Sequence, residues 1–238
     1  MCLLLLELGI GLGHGEQATK IVPPVNSPLD IPDLSEWQRS DLGITLDRGF
    51  LIGWADQSGN GNHFSKSTIS QAPTYATPPG QYPYVSFDET EEQWIGGALL
   101  SVIFGSSPLS LFIVCDATGT DKDGVCGSPQ QANGLWLLSD SAYYNTGSIA
   151  FPRNSSLAIR SVHHNGARFY YCENGIEQAS VDVSLAALAG VFRIGLYNGG
   201  FPENFISSKF YEIITYARDI TIDETVGLIK YLNLRYSL

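Results

Sequence analysis

The sequence predicts an all-β domain, and three observations support this prediction. Short apolar runs recur along the chain and are separated by Gly, Asn, Asp and Pro, which is typical of strands joined by turns. The 238 residues include 25 Gly, 12 Pro and 12 Tyr but a single Met, a composition that favours turns and strands over helices. Only one segment has a convincing helical pattern. The pattern is typical of a β-sandwich or jelly roll.

The first segment, MCLLLLELGIGLGHG, alternates apolar with small or polar residues, as a β-strand with one apolar face does. It is much shorter than the ~20 residues of a membrane span, and no Lys or Arg precedes Lys20, as a secretory signal would require. Such a strand needs a partner for its backbone groups. We expect it to dock onto another protein by strand addition, or to fold back as an edge strand of its own domain. The predicted docking residues are Leu4, Leu6, Leu8, Ile10 and Leu12.

A proline-rich connector follows this arm. Its four prolines, which favour an extended chain over a helix or central strand, are Pro23, Pro24, Pro28 and Pro32. We expect the connector to hold the arm away from the body of the protein. The predicted organisation is an arm with its connector over residues 1–33 and one domain over residues 34–238.

The body contains the strand-like runs YPYVSFD, SLFIVCDAT, GLWLLSD, ARFYYCENG, VFRIGLY and SKFYEIITYA. The predicted helix lies in RDITIDETVGLIKYLNLRY, where Thr221 is placed as the N-cap and Glu224 as its capping-box partner. Val226, Ile229 and Leu232 recur at helical spacing, so we expect a short helix that closes the domain against the sheet.

The most specific stretch is WADQSGNGNHF, residues 54–64. Gly59 and Gly61 can supply positive φ, while Asp56, Asn60 and Asn62 can bond to their own backbone in a tight polar loop. The stretch resembles the W-x-D-x-S-G-N-G-N-x signature of laminin G-like, concanavalin A-like jelly-roll domains.

Three further blocks are similar to that family in the same order. They are PYVSFDETEEQWI, SLFIVCDAT and the closing block that begins FRIGLYNGG, in which Ile194-Gly195 opens a strand and Ala217-Arg218 makes a turn. The resemblance covers roughly residues 34–236. It implies a concanavalin A-like jelly-roll β-sandwich with an extended N-terminal arm and a short C-terminal helix.

Relatives with a short leucine-rich N-terminus and an entry such as DIPDLSEW, residues 30–37, are virion proteins of tailed bacteriophages. The family places Asp-Ala-Ser after that Trp, whereas this chain has Gln38-Arg39-Ser40. A loop-specific activity of the relatives therefore does not transfer to this chain.

The net charge of −11 and the lack of any basic stretch argue against binding to nucleic acid and against insertion into anionic membranes. Four cysteines, Cys2, Cys115, Cys126 and Cys172, lie far apart without metal-ligand spacing. We interpret them as free, mostly buried thiols, with a Cys115–Cys126 disulfide as the alternative. No cofactor is predicted, apart from the calcium ion considered below.

The sequence offers no committed active site, so we expect the protein not to be an enzyme. Jelly-roll glycosidases use two carboxylates on one strand, but the acidic cluster DETEE, residues 88–92, follows a strand end and has the pattern of a solvated loop. His163 and His164 precede an Asn-Gly turn, where exposed histidines are the usual case.

Lectins of this fold stack an aromatic ring on a sugar and bond its hydroxyl groups through amides and carboxylates, often beside Ca²⁺. The candidate glycan-binding residues are Tyr143, Tyr144, Asn145 and Tyr197, with ordinary surface tyrosines as the alternative. The candidate metal ligands are Asp56, Asn60 and Asn62, with a self-satisfied Asx turn as the favoured alternative. The tryptophans Trp37, Trp54, Trp94 and Trp136 are expected in the core or at its rim.

The sequence thus favours an accessory structural protein of a bacteriophage virion. Its arm docks to capsid, tail or baseplate, and its lectin-like domain stabilises the particle or binds host-surface glycans. The expected partners are other virion proteins, a second copy of the chain and a cell-surface polysaccharide, and the expected location is the virion, assembled in the host cytoplasm. The alternative is a free carbohydrate-binding lectin module, and a glycoside hydrolase is a third hypothesis.

Overall fold

The computed structural model describes residues 24–105, 107–117, 124–127, 135–138, 140–144, 147–152, 156–195 and 207–238. The predicted docking residues of the arm therefore lie outside the described residues. So do Asn145 and Tyr197.

The described chain is built from strands, as the sequence predicted. The strands are β1 Leu34–Arg39, β2 Ile44–Asp47, β3 Phe50–Trp54, β4 Phe64–Ser65, β5 Thr74–Ala76, β6 Tyr84–Phe87, β7 Ile95–Leu99, β8 Leu109–Ala117, β9 Gly124–Gly127, β10 Leu135–Leu138, β11 Ser141–Tyr144, β12 Gly147–Ala150, β13 Ala158–His164, β14 Arg168–Glu173, β15 Ile176–Asp182, β16 Val191–Ile194 and β17 Ser208–Tyr216. The α-helices are α1 Leu100–Ile103 and α2 Ile222–Tyr236, and short 3₁₀ turns cover Pro28–Asp30, Ile69–Gln71 and Glu89–Glu91. The predicted strand at Ile194-Gly195 ends there instead of opening, because Gly195 takes a φ of 84°.

The strands form two layers of antiparallel pairs. One layer runs β15–β14–β13–β8–β17. Strand β17 also pairs with β1 and with β6. From β6 the layer continues through β5 to β3 and β2. The other layer runs β4–β7–β16–β9–β10–β11–β12. The layers join where β3 pairs with both β4 and β5. The predicted all-β jelly-roll class is confirmed as a β-sandwich with one closing helix.

The main hydrophobic core lies between the two layers. It combines Leu111 and Ile113 of β8 and Ile213 of β17 with Phe192 and Ile194 of β16. Alternate residues along these strands face the core. The outward faces of the same strands are therefore available for the helix or for solvent.

Helix α2 covers the outer face of β1, β17, β8 and β13. Its predicted capping box is confirmed: the Thr221 hydroxyl accepts from the Glu224 amide, and the Glu224 carboxylate accepts from the Thr221 amide. Ile229 and Leu232 pack into a second apolar cluster, but Val226 is 61% exposed, which corrects the prediction for that residue. The buried stripe runs instead through Thr225, Leu228, Ile229, Leu232 and Tyr236.

The described part of the connector packs onto the body rather than extending from it. Ile31 is buried in the cluster beneath α2, and the Tyr216 hydroxyl donates to the Pro28 carbonyl at 3.2 Å. Val25 lies against Gly227 of the helix. Residues 24–33 thus pack onto the domain, whereas the expectation that the connector holds the arm away from the body concerns an arm that lies outside the described residues.

The described cysteines, Cys115, Cys126 and Cys172, are buried free thiols, which confirms the favoured interpretation over a Cys115–Cys126 disulfide. Burial raises the pKa of the Cys115 and Cys126 thiols, so both stay protonated near neutral pH. Among the described helices, none combines the length and apolar character needed to cross a bilayer.

Candidate functional site

A row of outward-facing residues crosses four neighbouring strands. Lys209 of β17 is paired with Ser86 of β6, Ser86 with Thr74 of β5, and Thr74 with Phe50 of β3. Directly paired residues of antiparallel strands share a face. Since the adjacent Val85 and the other alternate positions point into the core, this row lies on the open side of the sheet.

The row forms the floor of an open cleft of about 700 Å³. Most of its lining residues carry hydroxyl, amide, carboxyl or ammonium groups, and Phe50 contributes an aromatic ring. Besides the row, the lining includes Ser70, Phe87, Asp88, Glu91, Gln93, Ser207 and Ser208. The cleft therefore offers hydrogen-bond donors and acceptors beside an apolar surface, which is the combination a sugar requires.

The acidic rim of the cleft is held in place by local hydrogen bonds. Asp88 caps the 3₁₀ turn by accepting from the Thr90 amide at 2.9 Å and the Thr90 hydroxyl at 2.7 Å. Gln93 accepts from the Asp88 amide at 3.0 Å. Lys209 lies 3.6 Å from an Asp116 carboxylate oxygen and 5.2 Å from the ring centre of Tyr84. These contacts fix the rim groups before any ligand arrives.

Next to the cleft, two basic side chains lie over one tryptophan ring. The Lys66 ammonium is 3.2 Å from the centre of the Trp94 ring, and the Arg193 guanidinium carbon is 4.3 Å from it. A Cβ at Gly96 would come within 3.2 Å of both Arg193 and Trp94, so the glycine leaves room for the arginine to lie across the strand. We call Lys66, Trp94 and Arg193 the basic stack.

The basic stack is joined directly to the cleft. Ser70 and Gln93 line the cleft, whereas the residues that follow them, Gln71 and Trp94, belong to the stack. Gln71 accepts from the Lys66 ammonium at 3.2 Å, and its carbonyl accepts from the Trp94 amide at 3.0 Å. The 3₁₀ turn Ile69–Gln71 thus lies between the cleft and the stack.

The charges of the stack are uncompensated within the part of the chain that the structure describes. No carboxylate there pairs with Lys66 or Arg193, and the buried Arg193 Nε has no hydrogen-bond partner. Burial and the Arg193 charge lower the pKa of Lys66 to about 8, and burial lowers the pKa of Arg193. Lys66 remains mostly charged at pH 7.

The predicted metal ligands form a self-satisfied loop. Asp56 accepts from the Ser58 amide at 2.9 Å, which is the Asx turn, and also from the backbone amides of Trp37 and Asn62. The Asn60 and Asn62 side-chain amides donate to carbonyls of β1. The favoured interpretation as a turn is confirmed, and the loop ties β1 to the segment that follows β3. Among the described residues, no three His, Cys, Asp or Glu side chains gather into a group that could hold a metal ion.

The predicted glycan platform is corrected at Tyr144. Its ring is buried in the core, and its hydroxyl donates to the Ala186 carbonyl at 3.0 Å, so it cannot stack on a sugar. Tyr143 precedes Tyr144 on β11, and it is the strand-pairing partner of Trp136 on β10. Of the tryptophans expected in the core or at its rim, Trp37 and Trp54 are buried and Trp94 is half-buried.

The expected exposure of the histidine pair is wrong. His163 and His164 are buried, because the β13–β14 hairpin lies within the sheet rather than at a free edge. The two His163 nitrogens lie 3.0 Å from the hydroxyls of Ser110 and Ser161, and its ring stacks on Tyr170. The network fastens the start of α2 to the sheet, since Ser110 also accepts from the Ile220 amide.

The sequence analysis did not single out the floor of the cleft or the basic stack. Phe50, Thr74, Ser86, Lys66 and Arg193 come from distant parts of the chain, and only strand pairing brings them together. A usable signal was present in IGGAL, residues 95–99, because glycine inside a strand indicates close approach by another group.

The sequence has no match among protein-family models, and no curated protein is detectably similar to it. Solved structures do resemble it. The binding domain of Paraclostridial Mosquitocidal Protein 1 superposes with a TM-score of 0.62 at 12% identity, covering 87% of this chain and 54% of that one. Trypanosoma rangeli sialidase in complex with sialic acid has a TM-score of 0.62 at 11% identity, covering 85% and 33%.

A third structure is similar over almost its whole length. Domain 4 of AbnA, a GH43 extracellular arabinanase from Geobacillus stearothermophilus, solved with arabinotriose, has a TM-score of 0.56 at 12% identity and covers 83% of this chain and 98% of that one. The present chain spans about half of the toxin domain and a third of the sialidase. These similarities show that the fold is a lectin-like β-sandwich.

Proposed function

We propose that the protein is a carbohydrate-binding module without catalytic activity. The observation that carries the proposal is the open row Lys209–Ser86–Thr74–Phe50, which places a cation, two hydroxyls and an aromatic ring side by side at the floor of a cleft. Sugars are bound by aromatic stacking together with hydrogen bonds to polar side chains. Three similar folds support this class, since two were solved with sugars and one is a toxin binding domain.

The acidic groups of the cleft favour binding over hydrolysis. Asp88 and Glu91 lie on the two sides of a 3₁₀ turn rather than on one strand, and both are exposed. A glycosidase needs one carboxyl group kept protonated by its surroundings. An exposed carboxyl group on a turn has no such environment, so we assign these groups to hydrogen bonding of sugar hydroxyls.

The test is a glycan array on the full chain, followed by calorimetry with the best ligand. We expect Phe50→Ala to weaken binding about tenfold, or about 1.4 kcal/mol, because it removes the aromatic surface of the floor. Ile176→Ala is the matched control, since Ile176 is an exposed apolar residue on β15, outside the cleft. The proposal fails if the array shows no ligand or if Phe50→Ala binds as well as the control.

A role in a bacteriophage virion is a second candidate, favoured by the alternating apolar arm at the start of the sequence. In this proposal the arm pairs with another virion protein, and the glycan-binding domain is displayed on the particle after assembly in the host cytoplasm. Leu6→Asp with Leu8→Asp in the full chain should abolish co-sedimentation with particles while leaving glycan binding intact. Unchanged co-sedimentation would count against the arm as the tether.

A further inference from the structure

We propose that the basic stack is a subsite for the acidic group, a carboxylate or a sulfate ester, of a charged sugar residue. The inference rests on the proposed function and adds a ligand class to it. In this proposal the acidic unit of a glycan binds at Arg193, and its neutral units extend towards the cleft floor. Lys66, which is only 6% exposed, adds a fixed positive charge on the Trp94 ring.

Several arginines elsewhere in the fold pair with carboxylates, unlike the cations of the stack. Arg168 pairs with Glu177, Arg218 with Glu224, and Arg235 with Asp41 and Glu212. Lys66 and Arg193 have no carboxylate within the described chain, although the protein has 24 acidic residues for 13 basic ones. Two cations held over one ring and partly out of water, with no carboxylate partner among the described residues, repel each other. A bound anion supplies the missing charge.

The geometry of the stack suits a sugar acid. The guanidinium offers a planar set of donors that matches the two oxygens of a carboxylate. The Trp94 ring beside it is already covered by the two cations. Lys66 and Arg193 are held over this ring, so their charges are positioned before the ligand binds.

The sheet leaves space around the arginine. Arg193 pairs with Gly96 of β7 on one side and with Gly127 of β9 on the other, so neither cross-strand neighbour has a side chain. The same row continues from Gly127 to Trp136 and then to Tyr143, a predicted glycan residue.

The test compares three oligosaccharides with the full chain: an oligogalacturonide, its carboxyl-reduced neutral form, and a sulfated oligosaccharide of the same length. We expect the wild type to bind at least one acidic form about tenfold more tightly than the neutral form, with the difference shrinking as salt rises. Arg193→Gln and Lys66→Gln should remove this preference. Arg48→Gln, at an exposed arginine on the β2–β3 turn, is the control and should keep it.

Each outcome separates the subsite from the proposed function. If the wild type prefers the carboxylate or the sulfate form and both variants lose that preference, the subsite is supported and its ligand group is identified. Equal binding of all three forms overturns the subsite but leaves the carbohydrate-binding function in place. Failure of all three, while Phe50 variants still affect another glycan on the array, overturns the acidic subsite alone. If Arg193→Gln does not fold, the salt dependence and the neutral-form comparison on the wild type still decide the question.

Discussion

The two outward faces of this sandwich treat buried charge in opposite ways. Under helix α2, Glu212 is fully buried and saturated with partners: it accepts from Trp37 Nε1 at 2.6 Å and the Tyr236 hydroxyl at 2.7 Å, and it lies 3.3 Å from Arg235. Burial raises its pKa, while these donors act in the other direction. On the open face, Lys66 and Arg193 share one aromatic ring and have no acidic partner among the described residues.

This difference separates structural charges from charges that are free for a ligand. A buried charge with several donors stabilises the fold, so removing it is costly. A cation pair without counter-charge destabilises the fold, so removing one member relieves repulsion. Substitutions at Glu212 and at the basic stack should therefore change stability in opposite directions, and of these two sites only the basic stack should affect binding.

The largest effect is expected at Glu212. Glu212→Ala leaves Trp37 Nε1 without its acceptor and removes the nearer acceptor of the Tyr236 hydroxyl inside a packed interface, while Arg235 keeps only Asp41 as a carboxylate partner. We expect a loss of about 3–5 kcal/mol in the free energy of unfolding, measured by urea denaturation. Asp47→Ala is the control, because the exposed pair Asp47–Arg48 should contribute under ~1 kcal/mol. Equal losses for both variants would contradict the distinction between the faces.

Glu36 extends the comparison to the interior. It lies on β1 beside β17, is fully buried, and neither carboxylate oxygen has a hydrogen-bond partner; nearby Gln38 Oε1 and Thr215 Oγ1 also have none. Burial, followed by the charge of Asp56, raises its pKa well above the usual value. A raised pKa favours the protonated folded state, so its contribution to stability falls as pH rises from the unfolded value of ~4.5 through the folded pKa.

We therefore expect Glu36→Gln to stabilise the protein at pH values above the folded pKa of Glu36. The amide has nearly the same shape and cannot ionise. At pH values above the folded pKa, the gain in stability should be about 1.4 kcal/mol for each unit by which folding raises the Glu36 pKa. Urea unfolding at several pH values measures it, and the slope of stability against pH should become shallower in the variant. An unchanged slope would mean that Glu36 is not the titrating group.

A smaller effect is expected at the start of α2. A hydrogen bond from Arg218 lowers the pKa of Glu224 to about 2, and the Thr221 amide and hydroxyl also donate to this carboxylate. A lowered pKa stabilises the fold at pH values above the unfolded ~4.5, and the contribution is lost as pH falls towards 2. Glu224→Gln should cost about 1 kcal/mol at pH 7 and little at pH 2, as measured by thermal unfolding. Glu91→Gln, on the exposed turn, should show neither effect.

Sequence patterns predicted the local structure better than the site. Period-two runs such as SKFYEIITYA became strands, and Thr221 and Glu224 formed their capping box, because both depend on neighbouring residues alone. The burial of His163 depends on Ser110 and Tyr170, which other strands supply. The basic stack likewise needs β4, β7 and β16 to meet at Gly96, and strand pairing of this kind leaves no local pattern.

The smallest change in stability is expected at Arg193, where it has the opposite sign. Arg193→Met keeps the apolar stem over Gly96 and Trp94 but removes the charge that lowers the pKa of Lys66. The fold should keep its stability or gain up to ~1 kcal/mol, because one like-charge repulsion disappears. The Lys66 pKa should rise from about 8, which carbon-13 labelling of the lysine and NMR titration would show. A clear loss of stability would instead place Arg193 with Glu212 among the structural charges, because its guanidinium would then be satisfied within the fold and not free for a ligand.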